Sequence, residues 1–105
     1  MRLPPALAAA STPRLLDLLG PPPARVLELG FAGIHAEPLR LAGFEVTVVE
    51  PDPARATAAR ERAGEVLAAP PGGPFDAVVA PAGADLTGVD ARRILLVERD
   101  GSVVG

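Results

Sequence analysis

The segment Arg25-Val26-Leu27-Glu28-Leu29-Gly30-Phe31-Ala32-Gly33 is an apolar run that ends in a glycine-rich turn. Residues 25–29 are typical of a buried strand, and Gly30 allows the chain to turn sharply at its end. A short helix from about Ala36 to Ala42 is expected next, followed by a second strand at residues 44–49, which is rich in β-branched side chains. This order of strand, turn, helix and strand is typical of a parallel sheet whose strands are connected by helices.

The remaining sequence continues the alternation of strands and helices. Thr12 is predicted to cap an N-terminal helix over residues 13–19, with Pro13 at the first position of that helix. Asp52 is predicted to cap another helix, which starts at Pro53. Further strands are expected at residues 65–68, 75–80, 94–98 and 102–104, the last two joined by a hairpin turn. The segment 81–93 is too rich in Gly, Ala and Asp to predict an element.

These elements predict an α/β fold of the three-layer Rossmann-like type. Its largely parallel sheet would have about five to six strands and a C-terminal hairpin, since strands that are apolar on both faces require covering layers on both sides. The 105 residues form a single domain, with an N-terminal helix and proline linker in residues 1–23 and the α/β core in residues 24–105. The exposed edge of the strand at residues 102–104 suggests pairing of two copies into a homodimer.

Composition excludes several function classes. The chain has no cysteine and one histidine, so disulfides and thiolate metal sites are ruled out, and a histidine-based metal site is disfavoured. The net charge is −3, with no basic block and no Tyr or Trp, which argues against nucleic-acid binding. No apolar run approaches a membrane span, and prolines interrupt the apolar start, which favours a cytoplasmic protein. All ten basic residues are Arg, and this suggests a GC-rich genome or a thermophilic host.

Two carboxylates are the candidate binding residues. Glu50 ends the second strand 20 residues after Gly30, an offset typical of a carboxylate that accepts hydrogen bonds from a ribose diol. Glu28 interrupts an apolar strand, where an unpaired charge is costly to bury. It either faces the ligand crevice and holds an amino group, or pairs with an arginine such as Arg25 or caps nearby backbone amides. A small-molecule ligand of the nucleoside type is the expected partner.

The motifs resemble those of class I S-adenosylmethionine-dependent methyltransferases. Val26-Leu27-Glu28-Leu29-Gly30 is similar to the first motif of that family, and Gly43 to Glu50 is similar to its ribose-binding stretch. Phe75 to Val79 and Arg93 to Glu98 resemble the fourth and fifth strands. The resemblance implies a Rossmann-like fold with S-adenosylmethionine as cofactor.

The resemblance also implies roles for individual residues. Glu28 and the loop Gly30-Phe31-Ala32-Gly33 would contact the methionine part of the cofactor. Glu50 would hold the ribose, and Pro51 and Asp52 would border the adenine. If the chain is an enzyme, its reaction is methyl transfer, but the sequence identifies no catalytic residue. His35, the one histidine, could act as a general base or be a helix-start side chain without a catalytic role.

Two other functions are compatible with the same sequence. An NAD(P)-binding or sensing domain is one, because residues 30–35 can be laid over the G-x-G-x-x-G pattern, with Ala32 and His35 in place of two glycines. A non-catalytic interaction module derived from a methyltransferase fold is the other.

Overall fold

The computed structural model describes residues 5–22, 24–72 and 74–105, without the side chains of residues 5 and 6. Pro23 of the predicted proline linker, Gly73 of the loop before the fourth strand and the first four residues of the chain lie outside this description. Alternating helices and strands make up the first two thirds of the described chain, and strands alone make up the rest. The elements are α1 (Pro5–Leu19), β1 (Arg25–Leu29), α2 (Ala36–Leu41), β2 (Glu45–Val49), α3 (Pro53–Arg60), β3 (Glu65–Leu67), β4 (Phe75–Pro81), β5 (Ala91–Val97) and β6 (Val103–Val104).

The strands form one six-stranded sheet in the order β3-β2-β1-β4-β5-β6. All neighbours are parallel except β5 and β6, which are antiparallel as expected for a hairpin. The strand order reverses between β1 and β4, because the chain proceeds from β1 to β2 and β3 on one side and returns to β4 on the other. This is the strand order of the Rossmann fold, and it confirms the predicted fold class.

The two faces of the sheet have different covers. Val26, Val48 and Val79 belong to a core cluster that also contains Leu15 of α1, Leu39 of α2 and further residues of the helices, so the helices pack on this face. The opposite face carries Leu27, Leu29, Val49, Val78 and Ala80. It is covered by Ala84, Leu86 and Val89 of the irregular segment 82–90. The three layers are therefore helices, sheet and this irregular segment.

The N-terminal helix starts earlier than the sequence predicts. The helix α1 begins at Pro5, so Thr12 and Pro13 lie inside it and Thr12 is no cap. A proline inside a helix costs about 3 kcal/mol, because it removes one backbone hydrogen bond and crowds the preceding turn. Alanine has the highest helix propensity, and the run before Ser11 is alanine-rich, while Leu15 is fully buried against the sheet. Packing and propensity together outweigh the local effect of the proline.

The strand β5 also starts three residues earlier than predicted, at Ala91 instead of Ile94. Arg92 and Arg93 are exposed, and a charged pair of this kind hides the start of a strand from a hydrophobicity pattern.

The strand β6 lies at the edge of the sheet, where the sequence suggested pairing of two copies; the homodimer stays a prediction. Within the described residues, no helix is long and apolar enough to cross a membrane, and no cluster of metal-binding side chains occurs.

Candidate functional site

A crevice of about 710 Å³ opens at the carboxyl ends of β1, β4 and β5. Its walls come from the ends of these strands, from α1 and from the hairpin turn that follows β5. The lining residues are Leu7, Gly30, Phe31, Pro81, Ala82, Val97, Glu98, Arg99 and Asp100. The crevice lies where the strand order reverses, which is the place where ligands bind in open α/β sheets, and its volume is within the usual range of ligand sites.

The residue type at position 30 is restricted by Pro81, which lies at the end of the neighbouring strand β4. Its φ angle is +75°, a left-handed conformation that other residues adopt at a cost. A β-carbon built on Gly30 would be 2.9 Å from Cγ and Cδ of Pro81, too close for any side chain. Both the backbone conformation and the close approach of β1 to β4 therefore require glycine at this position.

The rim of the crevice carries two carboxylates and one guanidinium, from Glu98, Asp100 and Arg99. Asp100 Oδ1 accepts the Ser102 hydroxyl at 2.6 Å and the Ser102 N–H at 2.9 Å. The hydroxyl bond first, and the N–H bond second, lower the pKa of Asp100 below its ordinary value. Asp100 is thus charged at neutral pH, and the rim has an excess of one negative charge.

Glu28 lies under the glycine-rich turn and is completely buried. Its Oε2 accepts two hydrogen bonds from His35, one from the backbone N–H at 2.8 Å and one from Nδ1 at 2.9 Å. Its Oε1 is buried and has no hydrogen-bond partner among the described residues. Glu28 therefore caps a backbone amide, one of the alternatives that the sequence left open. The guanidinium of Arg25, the other suggested partner, instead donates through Nη1 to the Pro74 carbonyl at 3.2 Å, while the Arg25 backbone N–H donates to Asp76 Oδ2 at 2.7 Å.

The hydrogen bonds of His35 continue to α1. Nε2 of His35 lies 2.7 Å from the Ser11 hydroxyl oxygen, and the Ser11 hydroxyl donates to the Leu7 carbonyl at 2.7 Å. We call Ser11, Glu28 and His35 the polar cluster. Their order is that of a hydrolytic Ser–His–acid triad, but all three side chains are 0% exposed. Since no acyl group can reach the Ser11 hydroxyl, the polar cluster holds the fold together and does not act as a nucleophile.

The amides at the start of α2 are bonded within the protein. Ile34 N–H donates to the Phe31 carbonyl at 3.1 Å, and Ala36 N–H donates to the Gly33 carbonyl at 3.0 Å. His35 N–H is taken by Glu28, and the first turn of α2 contains the acidic Glu37. A helix start binds phosphate through free N–H groups and a positive dipole end. These amides are occupied and the nearby charge is negative, so this helix start is poorly suited to a pyrophosphate.

Ala32 and Gly33 face α3 and the turn after it and do not line the crevice. Ala32 has a φ of +50°, and its carbonyl accepts a hydrogen bond from Arg62 Nη1 at 3.1 Å. A β-carbon on Gly33 would be 3.4 Å from Ala59 of α3. The second half of the glycine-rich turn therefore serves to pack the loop against α3.

Glu50 follows the last residue of β2 and lies level with Gly30. Leu29 of β1 pairs with Val49 of β2, so the next residue of each strand reaches the same edge of the sheet. Glu50 is 5% exposed; its N–H donates to the Leu67 carbonyl at 2.8 Å, and its Oε2 accepts the Asp52 N–H at 3.0 Å. Asp52 in turn caps α3, as predicted, by accepting the Arg55 N–H at 2.9 Å. The loop after β2 is thus fixed at both ends.

Of the predicted binding residues, Gly30 and Phe31 line the crevice. Glu28 lies beneath it in the polar cluster, and Glu50, Pro51 and Asp52 lie beyond the crevice walls at the neighbouring end of β2. The sequence singled out none of the lining residues from α1 or from the ends of β4 and β5. The one available signal was the hairpin sequence at residues 98–102, which the pattern identified as a turn but not as a binding element.

The Rossmann-like fold also appears in the comparison with solved structures. An acetophenone reductase from Geotrichum candidum, determined in complex with NAD, superposes with a TM-score of 0.68 over 93% of this chain. The two are 17% identical, and the match spans 32% of the reductase chain. No protein-family profile matches the chain, and no curated protein sequence matches it. The class defined by fold and crevice is a Rossmann-like α/β domain.

Proposed function

We propose that this chain is a Rossmann-like domain that binds S-adenosylmethionine at the carboxyl edge of β2, β1, β4 and β5. The observation that supports the proposal is the register of β1 and β2, which brings Glu50 to the same edge of the sheet as Gly30, at the end of the neighbouring strand. A carboxylate accepts both hydroxyls of a ribose diol, and the reversal point of the sheet is the usual ligand position.

The ligand would lie across the tips of these four strands. Its ribose would contact Glu50, with Pro51 and Asp52 beside the adenine, and its methionine tail would enter the crevice next to Gly30 and Phe31. Glu28 has no ligand contact in this arrangement, because both of its carboxylate oxygens are buried and Oε2 is bonded to His35. The proposal is one of binding and includes no transfer step.

Charge favours a sulfonium ligand over a dinucleotide. The rim has two carboxylates and one guanidinium, which suit a tail with two cationic groups and one carboxylate. A pyrophosphate would meet these carboxylates at the rim, and it would find the amides of Ile34, His35 and Ala36 already bonded.

NAD or NADP is the second candidate ligand. It is favoured by one observation, the superposition on a reductase determined in complex with NAD, at a TM-score of 0.68. Shared fold alone does not carry a ligand from one protein to another, so this candidate ranks below the first.

A thermal-shift panel tests the proposal and separates the candidates. S-adenosylmethionine, S-adenosylhomocysteine, NAD and NADP are each added to the chain; a ligand at 100 times its Kd adds about 2.7 kcal/mol to the free energy of unfolding. We expect a higher Tm with the first two ligands only. The shift should disappear in Glu50→Gln and remain in the control Glu45→Gln, an exposed carboxylate at the opposite end of β2. A shift with NAD or NADP alone supports the second candidate, and no shift with any of the four supports an interaction module.

A further inference from the structure

The polar cluster connects two walls of the crevice. Phe31 and Leu7 both line the crevice, but they belong to different elements, the β1–α2 turn and α1. His35 contacts the Phe31 ring edge-on, with a centroid distance of 4.6 Å and an interplanar angle of 79°. It reaches Leu7 through Ser11, whose hydroxyl bonds the Leu7 carbonyl. The buried His35 side chain therefore contacts Phe31 directly and is connected to Leu7 through Ser11.

We infer the protonation of His35 from its hydrogen-bond partners. The Ser11 hydroxyl has one proton, which it donates to the Leu7 carbonyl, so its oxygen accepts a proton from His35 Nε2. The Glu28 carboxylate accepts the proton of Nδ1. Both ring nitrogens are then protonated, and the ring is an imidazolium.

Burial supports the same assignment. Glu28 and His35 are both 0% exposed, and a carboxylate in such a place is costly unless an opposite charge compensates it. The charged residues of α1 and α2 are all exposed: Arg14, Asp17, Glu37 and Arg40. Glu28 is therefore the charged group that faces the ring, and an imidazolium makes the buried pair neutral.

We propose that His35 is a positioning residue of the crevice: as an imidazolium held by Glu28, it anchors α1 through Ser11 and keeps the lining residues Leu7 and Phe31 in place. Any effect of His35 on ligand binding rests on the proposed function. The connection from His35 through Ser11 to α1 is present in the chain without a ligand. The anchor crosses 24 residues of sequence between Ser11 and His35 and connects α1 to the start of α2.

The test uses the ligand-free chain labelled uniformly with 13C and 15N. Because the chain has one histidine, a long-range 1H–15N spectrum contains one pair of ring nitrogens. At neutral pH we expect both nitrogens at imidazolium chemical shifts. In Ser11→Ala we expect the Nε2 signal to move, the Leu7 methyl signals to change, and amide hydrogen exchange over residues 9–16 to accelerate by about tenfold, since a buried donor loses its partner.

The matched control is Thr57→Ala in α3. Thr57 also donates its hydroxyl to the carbonyl four residues earlier, that of Pro53, but it is exposed. This control should leave the His35 nitrogens and the exchange of α1 unchanged. Alanine raises the helix propensity at both positions, so faster exchange in Ser11→Ala cannot come from a weaker helix. An unprotonated Nε2 in the parent chain, or a Ser11→Ala chain with unchanged Nε2 and α1 signals, would overturn the proposal whatever the ligand panel shows.

Discussion

His35 donates two hydrogen bonds to the same oxygen, Oε2 of Glu28, one from its backbone N–H and one from Nδ1. The two residues are seven positions apart in the sequence, and the turn between them forms one wall of the crevice. The bonds fix both the backbone at the start of α2 and the orientation of the ring. The shape of the crevice therefore depends on a pair of side chains that lie outside it.

The first prediction concerns the energetic coupling of this pair. Replacing one partner leaves the other buried without compensation, so His35→Leu or Glu28→Leu alone should lower the free energy of unfolding by about 3–5 kcal/mol. The double variant should lose less than the sum, with a coupling of about 1–3 kcal/mol. Urea unfolding of the four chains measures it. Additive losses would mean that the two side chains do not act as a pair.

The second prediction concerns Gly30. Gly30→Ala combines a left-handed φ of +75° with a β-carbon 2.9 Å from Pro81. Gly83→Ala is the control, because Gly83 has a φ of +85° and nothing within 4 Å of a β-carbon. The control should cost about 1–2 kcal/mol from backbone strain, and Gly30→Ala should cost about 1–3 kcal/mol more from the steric conflict. Equal losses in denaturant unfolding would show that the approach of β1 to β4 is not tight.

The third prediction concerns the hairpin turn at the rim. The Ser102 hydroxyl and N–H lower the pKa of Asp100, so the folded state binds this proton less tightly than the unfolded chain. The contribution of this turn to stability is therefore present above the unfolded pKa and is lost as the pH falls through the lower folded pKa.

A carboxyl 13C titration of Asp100 measures this effect. Ser102→Ala should move the pKa of Asp100 upward, toward its ordinary value, because the larger of the two hydrogen bonds is removed. Asp85 is the internal control, since its pKa is lowered by the hydroxyl and N–H of Thr87 and should not respond. A simultaneous change at Asp85, or none at Asp100, would contradict the assigned cause.

The strands near the reversal point were predictable from the sequence because their pattern is local. β1 occupies the predicted residues 25–29, and β2 ends at the predicted Val49, since apolar runs closed by Gly30 or Glu50 need little tertiary information. The start of α1 was not predictable, because the strong local signal of Pro13 is outweighed by packing that the sequence does not display.

The site was predictable only in part, because some of its residues come from segments that are far apart in the sequence. The glycine-rich turn and Glu50 follow strand ends, which a parallel sheet gathers at one edge. The walls contributed by Leu7, Pro81 and the residues after β5 come from segments up to 93 residues apart, from Leu7 to Asp100. The contact of Ser11 with His35 depends on how α1 packs on the sheet, and no local pattern encodes it.

The proposed binding site is tested by a titration of the 15N-labelled chain with S-adenosylmethionine, followed through the amide chemical shifts. We expect the largest changes around the crevice and the end of β2, at Gly30, Phe31, Glu50, Ala82 and Glu98. Changes confined to the opposite edge of the sheet, around Arg40 and Glu45, or no change at saturating ligand, would contradict it.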